Sequence, residues 1–159
     1  MAMENLSGNL AVILHADVAG STVLVQQDKQ LTHERIQDSF RRFSKIIEKY
    51  NGQVLELRGD ALVAEFKCAS DGVSAALTFQ TKQADYINHL EDDLHPAIRV
   101  GIAMGEVIIA DNTVTGAGVV QAQRVEQLAN QGGVCITASI NQALSSRLPL
   151  DLENLGYDF

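Results

Sequence analysis

The 159-residue sequence predicts an α+β fold of ferredoxin-like type, a βαββαβ core whose antiparallel sheet carries helices on one face. Two observations predict it. Short apolar runs and helix-period runs alternate as strand, helix, strand, strand, helix, strand, and continue as helix, strand and helix. Two of those strands are joined only by Arg58-Gly59-Asp60-Ala61, a connection of hairpin length in which Gly59 supplies the unusual backbone angle. With 46% hydrophobic residues, the chain is long enough for one buried core and reads as one domain over 1–159, residues 1–8 being an expected flexible N-terminus.

The apolar run 9–17 reads as a buried central strand ending in Asp17. From Thr32 to Tyr50, Ile36, Phe40, Phe43, Ile46 and Ile47 recur at helical spacing, and Asn51-Gly52 stops the helix. Strands are expected at 53–57 and 62–66, then a second helix over 70–90 ended by Glu91-Asp92-Asp93 and Pro96. Residues 98–110 read as a strand punctuated by Gly101 and Gly105. Val119, Ala122, Val125 and Leu128 mark a helix, Gly132-Gly133 leads into a strand at 134–137, and Ser139 is the expected cap of a last short helix.

A formal charge of −8 and no Lys/Arg cluster argue against a nucleic-acid partner. Cys68 and Cys135 have neither disulfide-framework nor zinc-ligand spacing, which fits a reducing, cytoplasmic setting. No signal peptide and no apolar run of about 20 residues is present, so no membrane contact is expected of this segment.

Asp17 and Asp60 each end a strand at a glycine-bearing turn, and in a ferredoxin-like order those two strand ends converge. Singly, each reads as a turn residue; together they point to a divalent cation, which is commonly held by one or two carboxylates plus substrate phosphates. Gly20, Ser21 and Thr22 follow Asp17 with small residues whose N–H groups suit an oxyanion. Arg99, on the strand leading back to this region, offers forked donors to a phosphate or serves as a surface cation.

Taken in order, His15-Ala16-Asp17-Val18-Ala19-Gly20-Ser21-Thr22, Arg58-Gly59-Asp60, Ile98-Arg99-Val100-Gly101-Ile102-Ala103-Met104-Gly105-Glu106-Val107 and Gly116-Ala117-Gly118-Val119-Val120-Gln121-Ala122-Gln123-Arg124 resemble the class III adenylyl/guanylyl cyclase catalytic domain. The resemblance implies two Mg²⁺ or Mn²⁺ ions per site, held by Asp17, Asp60 and the Val18 carbonyl, with Arg99 on the triphosphate of a purine nucleotide. It also implies Arg124 as the transition-state arginine, and a head-to-tail homodimer in which Arg124 and the aspartates serving one substrate come from different chains. The products would be a 3′,5′-cyclic nucleotide and pyrophosphate. The family continues beyond Phe159 into a last pair of strands bearing a phosphate-contacting lysine, so the C-terminal strands are expected to be missing here.

Three positions depart from the adenylyl cyclase pattern: Glu56 in place of the adenine-reading lysine, Thr113 in place of an aspartate, and Val120 in place of the ribose-orienting asparagine. An ionised carboxylate only accepts hydrogen bonds, so Glu56 suits the N1–H and N2 donors of guanine, with the Thr113 hydroxyl available to O6. Val120 cannot hydrogen-bond a ribose. The expected function is therefore a purine nucleotidyl cyclase leaning to GTP, with activity lowered by Val120. The alternative is a weak or inactive cyclase-homology module that dimerises or binds nucleotide to regulate a fused partner. A dinucleotide-forming enzyme is a distant third reading, because the hairpin lacks the Gly-Gly-Asp/Glu-Glu/Asp-Phe signature.

Overall fold

The computed structural model describes residues 9–20, 24, 26–111, 113–146, 148 and 150–156. Its elements run β1 (Asn9–Val18), α1 (Lys29–Lys49), β2 (Gln53–Arg58), β3 (Ala61–Phe66), α2 (Ala69–Asn88), β4 (Ile98–Ala110), β5 (Thr113–Thr115), α3 (Ala117–Glu126), β6 (Val134–Ile136) and α4 (Ala138–Ala143). The strands form one sheet in the order β2-β3-β1-β4-β5. All pairings are antiparallel except β4 with β6. The 13-residue β4 is long enough to share one edge, β6 taking Val100–Ile102 and β5 taking Ile108–Ala110.

The period-2 alternation of β1 sorts the core into two layers. Val12, Leu14, Ala16 and Val18 face α1 and α2, where Phe40, Phe43, Ile47 and Phe79 are buried with Ile98, Val100 and Ile102 of β4. Phe43 and Phe79 stack with ring centroids 4.0 Å apart, joining the two helices. Ile13 lies in a second, smaller cluster with Val63, Ala103, Val107, Val114 and Ala122 of α3. Thus α1 and α2 share one face as expected, while α3 packs on the other.

Asp28 caps α1, its Oδ1 accepting from the Leu31 N–H at 3.0 Å. Asn51, at φ 65, turns the chain out of it. The acidic stretch after α2 is tied back to α1: Arg35 forks onto both Asp92 oxygens at 2.6 and 2.7 Å and also reaches the Leu94 carbonyl. One expectation is corrected. Thr137, not Ser139, caps the last helix, its Oγ1 accepting from the Ile140 N–H, because the helix begins at Ala138. The short β5 is not among the strands expected from the sequence; its β-branched Thr113-Val114-Thr115 pairs with β4 where the Asp111 turn (φ 51) folds the chain back. Among the described residues no helix is long and apolar enough to cross a membrane.

Candidate functional site

Asp17 stands opposite Ala61 on β3 and opposite Arg99 on β4. The next residue, Val18, donates its N–H to the Asp60 carbonyl at 3.2 Å, so the β2–β3 hairpin tip lies against the end of β1. The end of β1, with Asp17 and Val18, and the Asp60 hairpin tip converge as the element order predicted. Gly59 (φ 49) and Gly20 (φ 67) take the left-handed conformation that both turns require. Asp60 and Gly20 are exposed, and Asp17 is half-buried; Ser21 and Thr22 lie outside the described residues.

Beneath Asp17 lies a charged cluster. Arg99 Nη2 donates to Asp17 Oδ1 at 3.3 Å and stands 3.3 Å from Glu126 Oε2. The other Glu126 oxygen, Oε1, is 3.2 Å from His15 Nδ1. Glu126 is fully buried and sits in the last turn of α3, where the helix dipole opposes a negative charge. It reaches the sheet because α3 lies close: a Cβ at Gly101 would collide with the Ala122 carbonyl and the Glu126 N–H, and one at Gly105 would stand 2.7 Å from Gly118 Cα. Burial first, then the neighbouring Glu126 carboxyl, push the Asp17 carboxyl from 3.8 up to about 6, against the opposing pull of Arg99.

Sequence reasoning missed Glu126. Its signal was a glutamate four residues after Ala122 and eight after Gly118, on the stripe of α3 that packs against the glycines of β4.

The remaining candidates occupy other places. Glu56, half-buried on β2, holds Arg58 Nε at 2.7 Å through Oε1. Thr113 donates its hydroxyl to the Ala110 carbonyl at 2.6 Å and so serves its own turn. Arg124 is exposed on α3; two residues from Glu126, it is rotated about 200° around the helix and points away from its own Asp17. Val120, 47% exposed, is four residues before Arg124 and shares its face.

The donors suit a hard cation. Two carboxylates, Asp17 and Glu126, flank the Arg99 guanidinium, Asp60 stands at the adjoining hairpin tip, and Glu126 Oε2 is buried without a hydrogen bond. Among the described residues no three His, Cys, Asp or Glu side chains converge to hold a metal unaided. Asp17 and Asp60 offer oxygen donors of the kind that could hold a hard cation whose other ligands come from elsewhere.

Comparison with known proteins identifies the family and supports the fold. The family described as "Adenylate and Guanylate cyclase catalytic domain" matches residues 4–157. A Rhizobium meliloti protein named "Putative adenylate cyclase 3" is 32% identical over 161 residues, 99% of this chain and 27% of that protein. Other curated relatives are also longer: a Mycobacterium tuberculosis protein, 29% identical, is matched over 48% of its length by 91% of this chain. Among solved structures, an adenylate/guanylate cyclase/hydrolase from Silicibacter pomeroyi superposes with a TM-score of 0.80 at 25% identity, covering 95% of this chain and 88% of that one. The guanylyl cyclase Cya2 superposes at 0.77 with 19% identity, covering 96% and 90%, and supports the fold alone. Fold, strand-end aspartates and family match over almost the whole chain agree that this protein belongs to the adenylate and guanylate cyclase catalytic domain family.

Proposed function

We propose that this domain converts a purine nucleoside triphosphate into its 3′,5′-cyclic monophosphate and pyrophosphate. The observation that carries the reading is the meeting of Asp17 and the Asp60 hairpin through the Val18–Asp60 hydrogen bond. Asp17, Asp60 and the Val18 carbonyl would hold two Mg²⁺ or Mn²⁺ ions. Such ions would supply activation of the ribose 3′ oxygen and charge compensation for the leaving pyrophosphate. In the reaction the 3′ oxygen, giving up its proton, bonds to the α-phosphorus as the bond to the bridging oxygen of the β-phosphate breaks.

The chain's own side chains orient and neutralise. The Gly20 turn, with Ser21 and Thr22, offers donors to the phosphates, and Arg99 contributes guanidinium N–H groups from the adjacent strand. Glu56 reads the base: Oε1 is shared with Arg58, and the carboxylate presents acceptors to the N1–H and N2 amino donors of guanine, which favours GTP. Thr113 must leave the Ala110 carbonyl to donate to O6. Arg124 serves the transition state of a neighbouring copy, since it points away from its own aspartates; this is what a head-to-tail homodimer requires. Val120 and Ile109, 47% and 45% exposed, supply apolar area for that contact. The working location is the cytoplasm, where nucleotide and reducing conditions coexist.

The test is product formation from GTP and from ATP, each with Mn²⁺ and with Mg²⁺, by wild type beside Asp17→Ala. Metal-dependent cyclic nucleotide that disappears in the variant supports the enzyme and names its base. A folded dimer that binds GTP without product supports the second reading, a regulatory module. The observation favouring that reading is Val120, which presents an aliphatic face where the ribose would need a hydrogen bond.

A further inference from the structure

We propose that Glu126 is a positioning residue that receives Arg99 when a divalent cation takes Asp17. The inference rests on the cyclase reading of Asp17 as a metal ligand and concerns what that reading leaves unexplained, a carboxylate buried completely beneath the site.

Arg99 is shared between two acids. Its Nη2 stands 3.3 Å from Asp17 Oδ1 and 3.3 Å from Glu126 Oε2, but only the Asp17 contact has hydrogen-bond alignment. Arg99 Nε and Glu126 Oε2 are left as buried polar atoms without a hydrogen bond, one a donor and the other an acceptor. Leaving such atoms unpaired is costly, and each is the chemical complement of the other. A small rotation of the guanidinium toward α3 pairs them and releases Asp17. His15 Nδ1 holds the other Glu126 oxygen at 3.2 Å, so the receiving carboxylate is already oriented.

The arrangement works as a counter-charge exchange. Without metal, Arg99 offsets the Asp17 charge. A cation arriving at Asp17 makes a guanidinium beside it repulsive, and Glu126 gives Arg99 a place to go that is dry, negative and preset. Without the Glu126 charge, Arg99 has Asp17 as its remaining close acid and competes with the cation for it. Outer partners of this kind commonly change metal affinity by about 10–100-fold.

The experiment is a Mn²⁺ titration of the nucleotide-free protein, free Mn²⁺ being read by electron paramagnetic resonance, with melting curves taken in parallel. Glu126→Gln is expected to weaken Mn²⁺ binding by about tenfold or more. Glu126→Asp is expected to recover part of it, and Glu126→Gln with Arg99→Gln to recover most, since the competitor is gone. A role confined to packing α3 on the sheet would lower the melting temperature and leave Mn²⁺ affinity within about twofold of wild type, which overturns the proposal. A double variant no better than the single one overturns it too. Should Glu126→Gln not fold, Arg99→Gln reads the competition from the other side: Mn²⁺ bound at least as tightly as by wild type supports the exchange, and a tenfold loss overturns it. Wild type binding no more Mn²⁺ than Asp17→Ala removes the metal reading itself, and the exchange with it.

Discussion

On the α1/α2 face of the sheet, β1 presents Val12, Leu14, Ala16 and Val18 to Phe40, Phe43 and Phe79. On the α3 face, one residue along, the same strand presents Ile13 and then His15 and Asp17, which meet Arg99 and Glu126. Both faces are covered by helix, but the side chains fully buried on the first are apolar or, like Ser39 and Gln83, neutral and hydrogen-bonded to each other. The second combines a small apolar cluster with buried charge and exposed side chains at Val120 and Ile109. A fully buried carboxylate is maintained at the expense of stability, so Glu126 marks the α3 face as the one that carries the candidate site.

The sharpest way to break that division is to truncate one member of the apolar face. Phe79→Ala removes a fully buried ring stacked on Phe43 and is expected to cost about 3–5 kcal/mol in denaturant unfolding, while molecules that remain folded keep their Mn²⁺ affinity. Altered Mn²⁺ affinity per folded molecule would mean that the faces are not independent. The opposite case is Asp60→Ala at the exposed hairpin tip. Cyclic nucleotide formation is expected to fall on the order of a hundredfold to a thousandfold with the melting temperature nearly unchanged. Retained turnover would remove Asp60 from the site.

Gly101→Ala probes the seam between sheet and α3. Its methyl group would press on the Ala122 carbonyl and the Glu126 N–H, so a loss of about 1–3 kcal/mol is expected together with weaker Mn²⁺ binding. A stable variant with normal Mn²⁺ affinity would show that α3 can shift without disturbing Glu126.

A smaller effect follows from pH. The Asp17 carboxyl is raised from 3.8 to about 6 in the folded protein, chiefly by burial and then by Glu126. It therefore stabilises the metal-free fold below about 3.8, and that contribution is lost as pH rises through about 6. Melting curves of metal-free wild type and Asp17→Asn should shift in favour of the variant across that window. A constant difference would contradict the assigned environment of Asp17. The least disruptive change is Val120→Asn, expected to raise turnover by up to about tenfold, read as kcat at unchanged melting temperature because the site is 47% exposed. An unchanged kcat would reject ribose orientation as the role of this position.

Much of the first face was legible in the sequence. The spacing of Ile36, Phe40, Phe43, Ile46 and Ile47 predicted α1, and all five are buried. The RGDA turn predicted the hairpin, and strand order predicted that its tip would reach the end of β1. The second face was less legible because it depends on partners far apart in sequence. Glu126 lies 111 residues from His15 and looks like one more polar residue near a helix end. Gly101 and Gly105 read as strand punctuation, whereas the fold uses their missing side chains to admit α3. Arg99 read as a phosphate donor; its contacts with Asp17 and Glu126 add a role that spacing could not express.

By itself the sequence determined the element order, the packed face of α1 and the approach of the Asp60 hairpin tip to the end of β1, because periodicity and turn chemistry act over a few residues and a hairpin leaves little choice of partner. Only the tertiary structure decided which face α3 covers, that Glu126 is driven beneath Asp17, and that one arginine answers two carboxylates. Those outcomes depend on close approach and desolvation between distant segments, which local sequence pattern does not encode.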